Sequence, residues 1–500
     1  MKIFTKYLAL SLSILMMLSV FFGCKKGEND ADTTETKEKQ NYEKLDNLPD
    51  DLDFDGTDVK IFYRYYGDIT FDNRDMELEG QSAGNALQKA IYVRNSVVED
   101  RLNINLVFEA CSGNPDQKTY KSKIEALVLA QDSSMGIDIV YHHGADAANQ
   151  ANVGYFRDIY DLTYVDIDQP YWYGDQIRSV SFNEHENYLL IGELLTSNYA
   201  NMSSIFFNKD MFNKLFAGNG KTYDDLYDMV EGGKWTYEAF YELVEQAYMD
   251  DGNSFKNIGD VFGSHYESSS GRTGGYYPYT SGIDFSKRDS NGFVQLNINQ
   301  EKTIAYVEKL YSFVNENEGT IDMTPDEVQR EFLGGNMLFY TYFLAHGASI
   351  QAEADFNYGV IPFPKFDETC DYRSVVLTGA GTYVVPTFVS DNRLDVVSAT
   401  LEAMCSESSK SVTSEYYDVI IKTRQAGGER DAAMIELIRK SLKTDFTFWC
   451  GASIGRPNNV FKILVIDTNS KDFVSHWNMY GETYEGQLKT AIEVYKNARK

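Results

Sequence analysis

Between Val59 and Tyr141 the chain alternates two hydrophobic periods in a fixed order, and few architectures accommodate that order. Val59-Lys60-Ile61-Phe62-Tyr63 reads as a strand. Ala83 to Leu102 follows at helical spacing, with Leu87, Ile91, Val98 and Leu102 on one face and Arg94 interrupting it. Asn103 to Glu109 alternates through Ile104, Leu106 and Phe108, a second helix is expected around 121–130, and Ile137 to Tyr141 has the pattern of a buried strand. A βαβαβ run of this kind implies a parallel sheet with right-handed crossovers. In an open sheet so wound, ligands sit beyond the carboxyl ends of the strands. That rule selects Arg64-Tyr65-Tyr66-Gly67-Asp68 after the first strand and His142-His143-Gly144-Ala145-Asp146 after the third.

The later half repeats the grammar. Ser203 to Asn208 and Tyr358 to Ile361 read as strands, and Thr236 caps a helix carrying Phe240, Leu243 and Val244. Thr324-Pro325-Asp326-Glu327 is a capping box with proline at the first helical position. Helices are expected over 394–404, 431–442 and 482–498, and no period of 20 to 50 residues recurs, which disfavours solenoids. The expectation is two α/β lobes and a helical tail.

The 500 residues carry a formal net charge of -29. Such a field repels a phosphate backbone, so nucleic acid is excluded as a partner. Aromatic residues are abundant, with 36 Tyr and 30 Phe against 4 Trp. A ring with a hydroxyl at its edge suits contact with polar, ring-shaped molecules.

Lys2 and Lys6 precede an apolar run, Tyr7 to Phe22, that is shorter than the roughly 20 residues a membrane span needs. It ends at Gly23-Cys24 and resembles a bacterial lipoprotein signal, with Phe21 where leucine is usual. The resemblance implies removal of 1–23 and acylation of Cys24; the alternatives are an uncleaved anchor or an ordinary signal peptide. Residues 24–54, rich in Lys, Glu, Asp, Asn and Thr, read as a disordered tether. The remaining cysteines, Cys111, Cys370, Cys405 and Cys450, match no zinc spacing. Disulfides and buried free thiols are both open to them.

Several stretches together resemble the extracellular solute-binding proteins, family 1, that serve ABC importers, and most of all their clostridial lipoprotein members. They are Arg94-Asn95 with Val98-Glu99; Phe206 to Phe212; Gly233-Lys234-Trp235-Thr236; Tyr358 to Asp367; and Arg430-Asp431 with Met434. The resemblance runs from about residue 57 to 500. It implies a two-lobed, type II periplasmic-binding-protein-like α/β fold, each lobe a mixed sheet flanked by helices, with a multi-crossing hinge and a helical C-terminal tail. Crossings are expected near Leu194–Met202, Val376–Thr382 and Thr444. That divides the body into 55–197 plus about 380–445 for the N-terminal lobe, and 198–379 plus about 446–500 for the other.

The resemblance further implies capture of a sugar or oligosaccharide between the lobes and its delivery to an ABC permease, by a monomer held at the outer face of the cytoplasmic membrane through lipid on Cys24. No cofactor, metal or catalytic residue is expected. The alternatives are a surface-anchored carbohydrate-active enzyme and a receptor for a peptide or other polar solute. Against the enzyme, no H-E-x-x-H helix or Walker loop occurs.

Sugars pair hydroxyls with polar side chains and C–H faces with rings. Strand-end Tyr65, Tyr66, Asp68, His142, His143 and Asp146 are therefore candidate contacts, as are Glu193 and Asn198 at the first crossing. Tyr276 and Tyr277 follow a glycine pair in a loop, Tyr340 and Tyr342 alternate as strand residues do, and Trp477 is expected just before the last helix. Adjacent histidines without further ligands at spacing argue for hydrogen bonding rather than metal. Core packing competes for Tyr340 and Tyr342, and Trp235 reads as a structural staple.

Overall fold

A computed structural model describes residues 45–64, 78–113, 116–269, 272–417 and 428–499. The first sheet is built on β1 (Thr57–Tyr63), β2 (Ile104–Ala110) and β3 (Ile139–His143), with β1 parallel to both neighbours. Ile61 lies between Phe108 and Ile139 in register. Because the chain steps from β1 to β2 in one direction and from β2 past β1 to β3 in the other, right-handed crossovers put the two intervening helices on opposite faces. The first, Ala86–Leu102, starts at an Asn85–Gln88 capping box and buries Ile91, Val98 and Leu102. Arg94, which breaks its apolar stripe, is buried as well. Its guanidinium donates to Ser408 Oγ at 2.9 Å and to the Leu194 carbonyl at 3.4 Å.

β3 begins two residues later than the hydrophobic pattern suggests. There the Asp138 amide donates to Lys60 O at 3.0 Å, but the Lys60 amide is taken by the Asp138 carboxylate at 2.9 Å, which also accepts Arg393 at 2.7 Å. His142 and His143 end the strand instead of forming a loop, and Gly144–Ala151 is a helix.

The second sheet is ordered β10-β4-β9, all antiparallel, from β4 (Ser203–Asn208), β9 (Phe339–Phe343) and β10 (Tyr358–Ile361). A parallel bridge from Phe262 to Met337 joins β9 to the lead-in of β5 (Ser264–Tyr266), itself parallel to β8 (Thr320–Asp322). The extended sheet is therefore mixed, as is the first, which adds β11 (Gly381–Val384) antiparallel to β3. Hairpin β6 (Ser286–Arg288) and β7 (Val294–Leu296) stands apart. Around the second sheet the local signals operate as the sequence suggests. Thr324 and Glu327 form the capping box of Pro325–Leu333. Trp235 staples Tyr237–Gln246 by packing on Phe240, ring centroids 5.6 Å apart, while its indole N–H donates to the Pro362 carbonyl.

Three segments run side by side between the two sheets. The Ser203 amide donates to Val375 O at 2.9 Å, the Ser374 amide to Ser441 O at 3.0 Å, and the Lys443 amide to Ser374 O at 3.0 Å. The helices Leu394–Lys410 and Val412–Tyr417 pack on Ala86–Leu102, over the first sheet. Glu429–Lys440 packs instead on β10, so it sides with the second sheet although the sequence reading carries the first lobe on to about 445. The closing helix, Phe473–Asn497, starts nine residues before the expected position. Near its end Tyr495 donates to Glu186, and Arg499 just beyond it donates to the Ala151 carbonyl. Cys111, Cys370, Cys405 and Cys450 are buried free thiols.

Candidate functional site

A cavity of about 230 Å³ opens where β1 and β3 end. Arg64 borders it from the end of β1, and Tyr141 and His143 from β3. Gln117 and Tyr120 come from the first turns of the helix after β2. The crossing segment Leu377-Thr378-Gly379 forms another wall, and Tyr276 closes it from the second-sheet side. Strand ends, hinge segment and facing lobe thus meet at one opening, as the strand-end rule requires.

Two glycines permit this closeness. A Cβ on Gly144 would stand 2.4 Å from the Trp449 ring and 2.9 Å from Ala380 O, and one on Gly381 would stand 2.4 Å from the Tyr141 ring. The Gly144 and Ala145 amides donate to Ala380 O and Thr378 O, fastening the strand end to the crossing segment. Tyr276 is held between two rings, Phe343 at 5.9 Å and Phe448 at 5.1 Å, both edge to face. Such a clamp presents its ring at little entropic cost on binding.

Asp146 stands behind the wall. Its carboxylate accepts Gln117 Nε2 at 2.7 Å and Lys121 Nζ at 3.3 Å, with His143 Nδ1 3.4 Å away. Burial works against its ionisation, but the Gln117 hydrogen bond and then the His143 and Lys121 charges outweigh it, leaving the carboxyl below its ordinary pKa. It orients Gln117 and His143 and does not itself line the cavity. Tyr120 donates to Tyr141 O at 2.9 Å, and its burial pushes the phenol pKa up. The walls therefore offer hydrogen-bond donors, a guanidinium and a fixed aromatic face to a small polar guest.

Of the sequence candidates, His143 and Tyr276 border this cavity, while Tyr65, Tyr66, Asp68 and the acylation candidate Cys24 lie outside the described residues. His142 alternates to the other side of β3 and points inward. Its Nδ1 accepts the His143 amide, its Nε2 donates to Gln150 Oε1 at 2.8 Å, and burial drops its pKa to about 4. Glu193 faces a different cavity, of about 420 Å³, and pairs with Arg439 at 3.4 Å. Burial raises its pKa despite that partner. Asn198 is fully buried and donates to the Gly192 carbonyl at 3.1 Å, bracing the crossing.

Four aromatic candidates are spent on packing. Tyr277 and Tyr340 are buried, their hydroxyls bonded to Thr341 Oγ1 and to His346 Nδ1. Tyr342 stacks on Tyr340 at 5.2 Å beneath the Arg272 guanidinium, 4.3 Å from its ring. Trp477 lies inside the last helix, stacked on Phe473 at 5.8 Å. In each case the apolar side chain finds more contact in the core than at an open rim.

Gln117 and Tyr120 escape the sequence reading, although β2 ends on the same edge as β1 and β3, so the strand-end rule applies to that loop too. Leu377 to Gly379 fall at the start of an expected crossing but carry no chemical signal of their own. Among the described residues no three His, Cys, Asp or Glu side chains gather as a metal would need. No helix among them is long and apolar enough to cross a membrane.

The model of the bacterial extracellular solute-binding protein family matches residues 111–420. The chain belongs to that family. No curated protein sequence matches it, but many solved structures do. The galacto-N-biose-/lacto-N-biose I-binding protein of an ABC transporter from Bifidobacterium longum, in complex with lacto-N-biose, is 11% identical with a TM-score of 0.54 over 89% of this chain and 98% of its own. A cyclo/maltodextrin-binding protein complexed with maltotetraose is 12% identical, TM-score 0.51, over 88% and 97%. UgpB from Mycobacterium tuberculosis, in complex with glycerophosphocholine, is 14% identical, TM-score 0.50, over 89% and 98%. At these identities the likeness is one of fold, the two-lobed arrangement of solute-binding proteins.

The stretches that carry the sequence resemblance in this solute-binding protein are structural. Lys209 and Asp431 form a buried ion pair at 2.7 Å, and Asp210 accepts from Asn357. Arg94 and Trp235 are tied into the lobes as described. None of these residues lines the cavity; they hold the scaffold.

Proposed function

We propose that this solute-binding protein captures a sugar or oligosaccharide in the cavity between its lobes and hands it to an ABC permease. One observation carries the reading: the strand ends of one lobe, a hinge segment and a clamped tyrosine of the other lobe converge on a single polar opening. That two of the structural neighbours hold lacto-N-biose and maltotetraose supports a carbohydrate guest. Closure about the crossing segments converts binding energy into a shape a permease recognises. The lobe division we propose keeps 55–197 plus the segment from about 380 in one lobe and 198–379 in the other, but differs from the sequence reading in giving the second lobe the chain from Glu429 onward, because that helix packs on β10. Signal removal, lipid on Cys24, a monomeric state and the outer membrane face remain part of the proposal.

Micromolar affinity corresponds to about -8 kcal/mol, within reach of several hydrogen bonds and one stacked face. Thermal-shift and calorimetric titration across a panel of mono- and oligosaccharides tests it. Saturable stabilisation with no products in the mixture supports a receptor. Turnover would establish the carbohydrate-active enzyme instead, and stabilisation by peptides alone would establish a peptide receptor.

A further inference from the structure

We propose that Gln117 selects the guest by one hydroxyl: held in a single orientation by Asp146, it turns its side-chain carbonyl to the cavity and requires that hydroxyl to donate. This rests on the cavity's being the solute site. A primary amide has nearly the same shape at its two ends and opposite polarity, so what it presents is decided by what its other end touches. Gln117 borders the cavity and Asp146 stands behind it. The Asp146 carboxylate accepts Gln117 Nε2 at 2.7 Å. A carboxylate only accepts, so the nitrogen end is fixed against it, and the reverse orientation would set a carbonyl oxygen against an anion.

The anion is itself anchored. Lys121 Nζ lies 3.3 Å from its other oxygen, one turn along the same helix as Gln117. Burial works against its charge, but the Gln117 bond and then the His143 and Lys121 charges keep it ionised at neutral pH. A charge-assisted hydrogen bond is roughly twice as strong as a neutral one, so the guest must take the amide as it stands. Among the described residues nothing donates to Gln117 Oε1. Tyr120, the other side chain this helix brings to the cavity, has no proton to offer either. Its hydroxyl donates to Tyr141 O at 2.9 Å, with Phe62 O at 3.2 Å as a second acceptor. On this wall the donors are spent inside the protein and an acceptor remains. A free sugar hydroxyl supplies the missing proton. A substituent without one leaves the carbonyl unpaired in the closed site, a loss of roughly five- to a hundredfold in affinity.

The test is calorimetry on the full chain in mild detergent with lactose, lacto-N-biose, maltotriose and xylotriose, each beside its monodeoxyfluoro analogues, in which fluorine keeps the place of a hydroxyl and removes its proton. The expected result is one position of a bound sugar at which fluorine costs fivefold or more and at which Gln117→Met brings the parent sugar down to its fluoro analogue, the penalties at other positions staying as they were. Asp146→Ala frees the amide to turn, so the parent-to-fluoro ratio at that position falls toward one although Gln117 is still present. A merely structural role for Asp146 would weaken both sugars alike and leave the ratio intact. A fluorine penalty that does not depend on Gln117 at any position, or a ratio that survives Asp146→Ala, overturns the acceptor assignment while the sugar-receptor reading stands. Binding of none of the four sugars overturns that reading and this one with it.

Discussion

Replacing Asp431 with alanine removes one carboxylate and orphans three donors. Lys209 Nζ lies 2.7 Å from Oδ2, and the Tyr227 hydroxyl and the Val360 amide both donate to Oδ1. Both ionic side chains are nearly inaccessible, 6% and 2% exposed, so the lysine left behind has no water to turn to. Breaking a buried pair in this way costs about 3–5 kcal/mol. Unfolding entropy of about 2.1 cal/mol/K per residue, taken over ~450 residues melting together, is ~1 kcal/mol/K, so the midpoint should fall by about 4 °C. Urea unfolding followed by tryptophan emission measures the free energy, since Trp235 is buried in the same lobe. Replacing both partners, Lys209→Met with Asp431→Leu, should recover most of the loss, because the cost lies in the uncompensated charge. A loss below about 1 kcal/mol for Asp431→Ala, or a double variant weaker than the single, refutes the account.

Gly144→Ala drives a methyl into the Trp449 ring and should cost about 1–3 kcal/mol in a denaturant melt, with weakened solute binding because the strand end and crossing segment are pushed apart. Tyr276→Ala should lower solute affinity in calorimetry by tenfold or more while far-ultraviolet circular dichroism stays unchanged, because its ring is a partly exposed platform. Trp235→Ala should cost about 3–5 kcal/mol in a urea melt, through lost staple, hydrogen bond and core volume. His142 is buried neutral, with its pKa reduced from 6.5 to about 4. Its contribution is present above the unfolded pKa of 6.5 and is lost as pH falls toward 4, about 3 kcal/mol in all. Urea midpoints of wild type and His142→Gln measured between pH 4 and 7 should converge toward the acid end.

Local signals were legible wherever one residue decides its own surroundings. Thr324 with Glu327, Thr236 behind the Trp235 staple, and the strands β1 and β4 all appear where the sequence puts them. Register at a strand end was not legible. The Asp138 carboxylate, held by Arg393 from far along the chain, takes the Lys60 amide where β3 begins, and His142 turns inward to meet Gln150. The aromatic candidates fared by position. Tyr276 and Tyr277 are neighbours of equal chemistry, yet one faces the opening and the other is bonded to Thr341 in the core.

The sequence by itself determined the βαβαβ order, the handedness of its crossovers and the sheet edge at which the cavity opens, because periodicity and chirality act within a few turns of chain. Which side chains reach that edge was decided only in the folded molecule. Gln117, Thr378 and Tyr276 come from three segments well separated in sequence, and they meet because the sheets, crossing segments and facing lobe pack together. Contact across such distances depends on shape and burial, and no local pattern carries either.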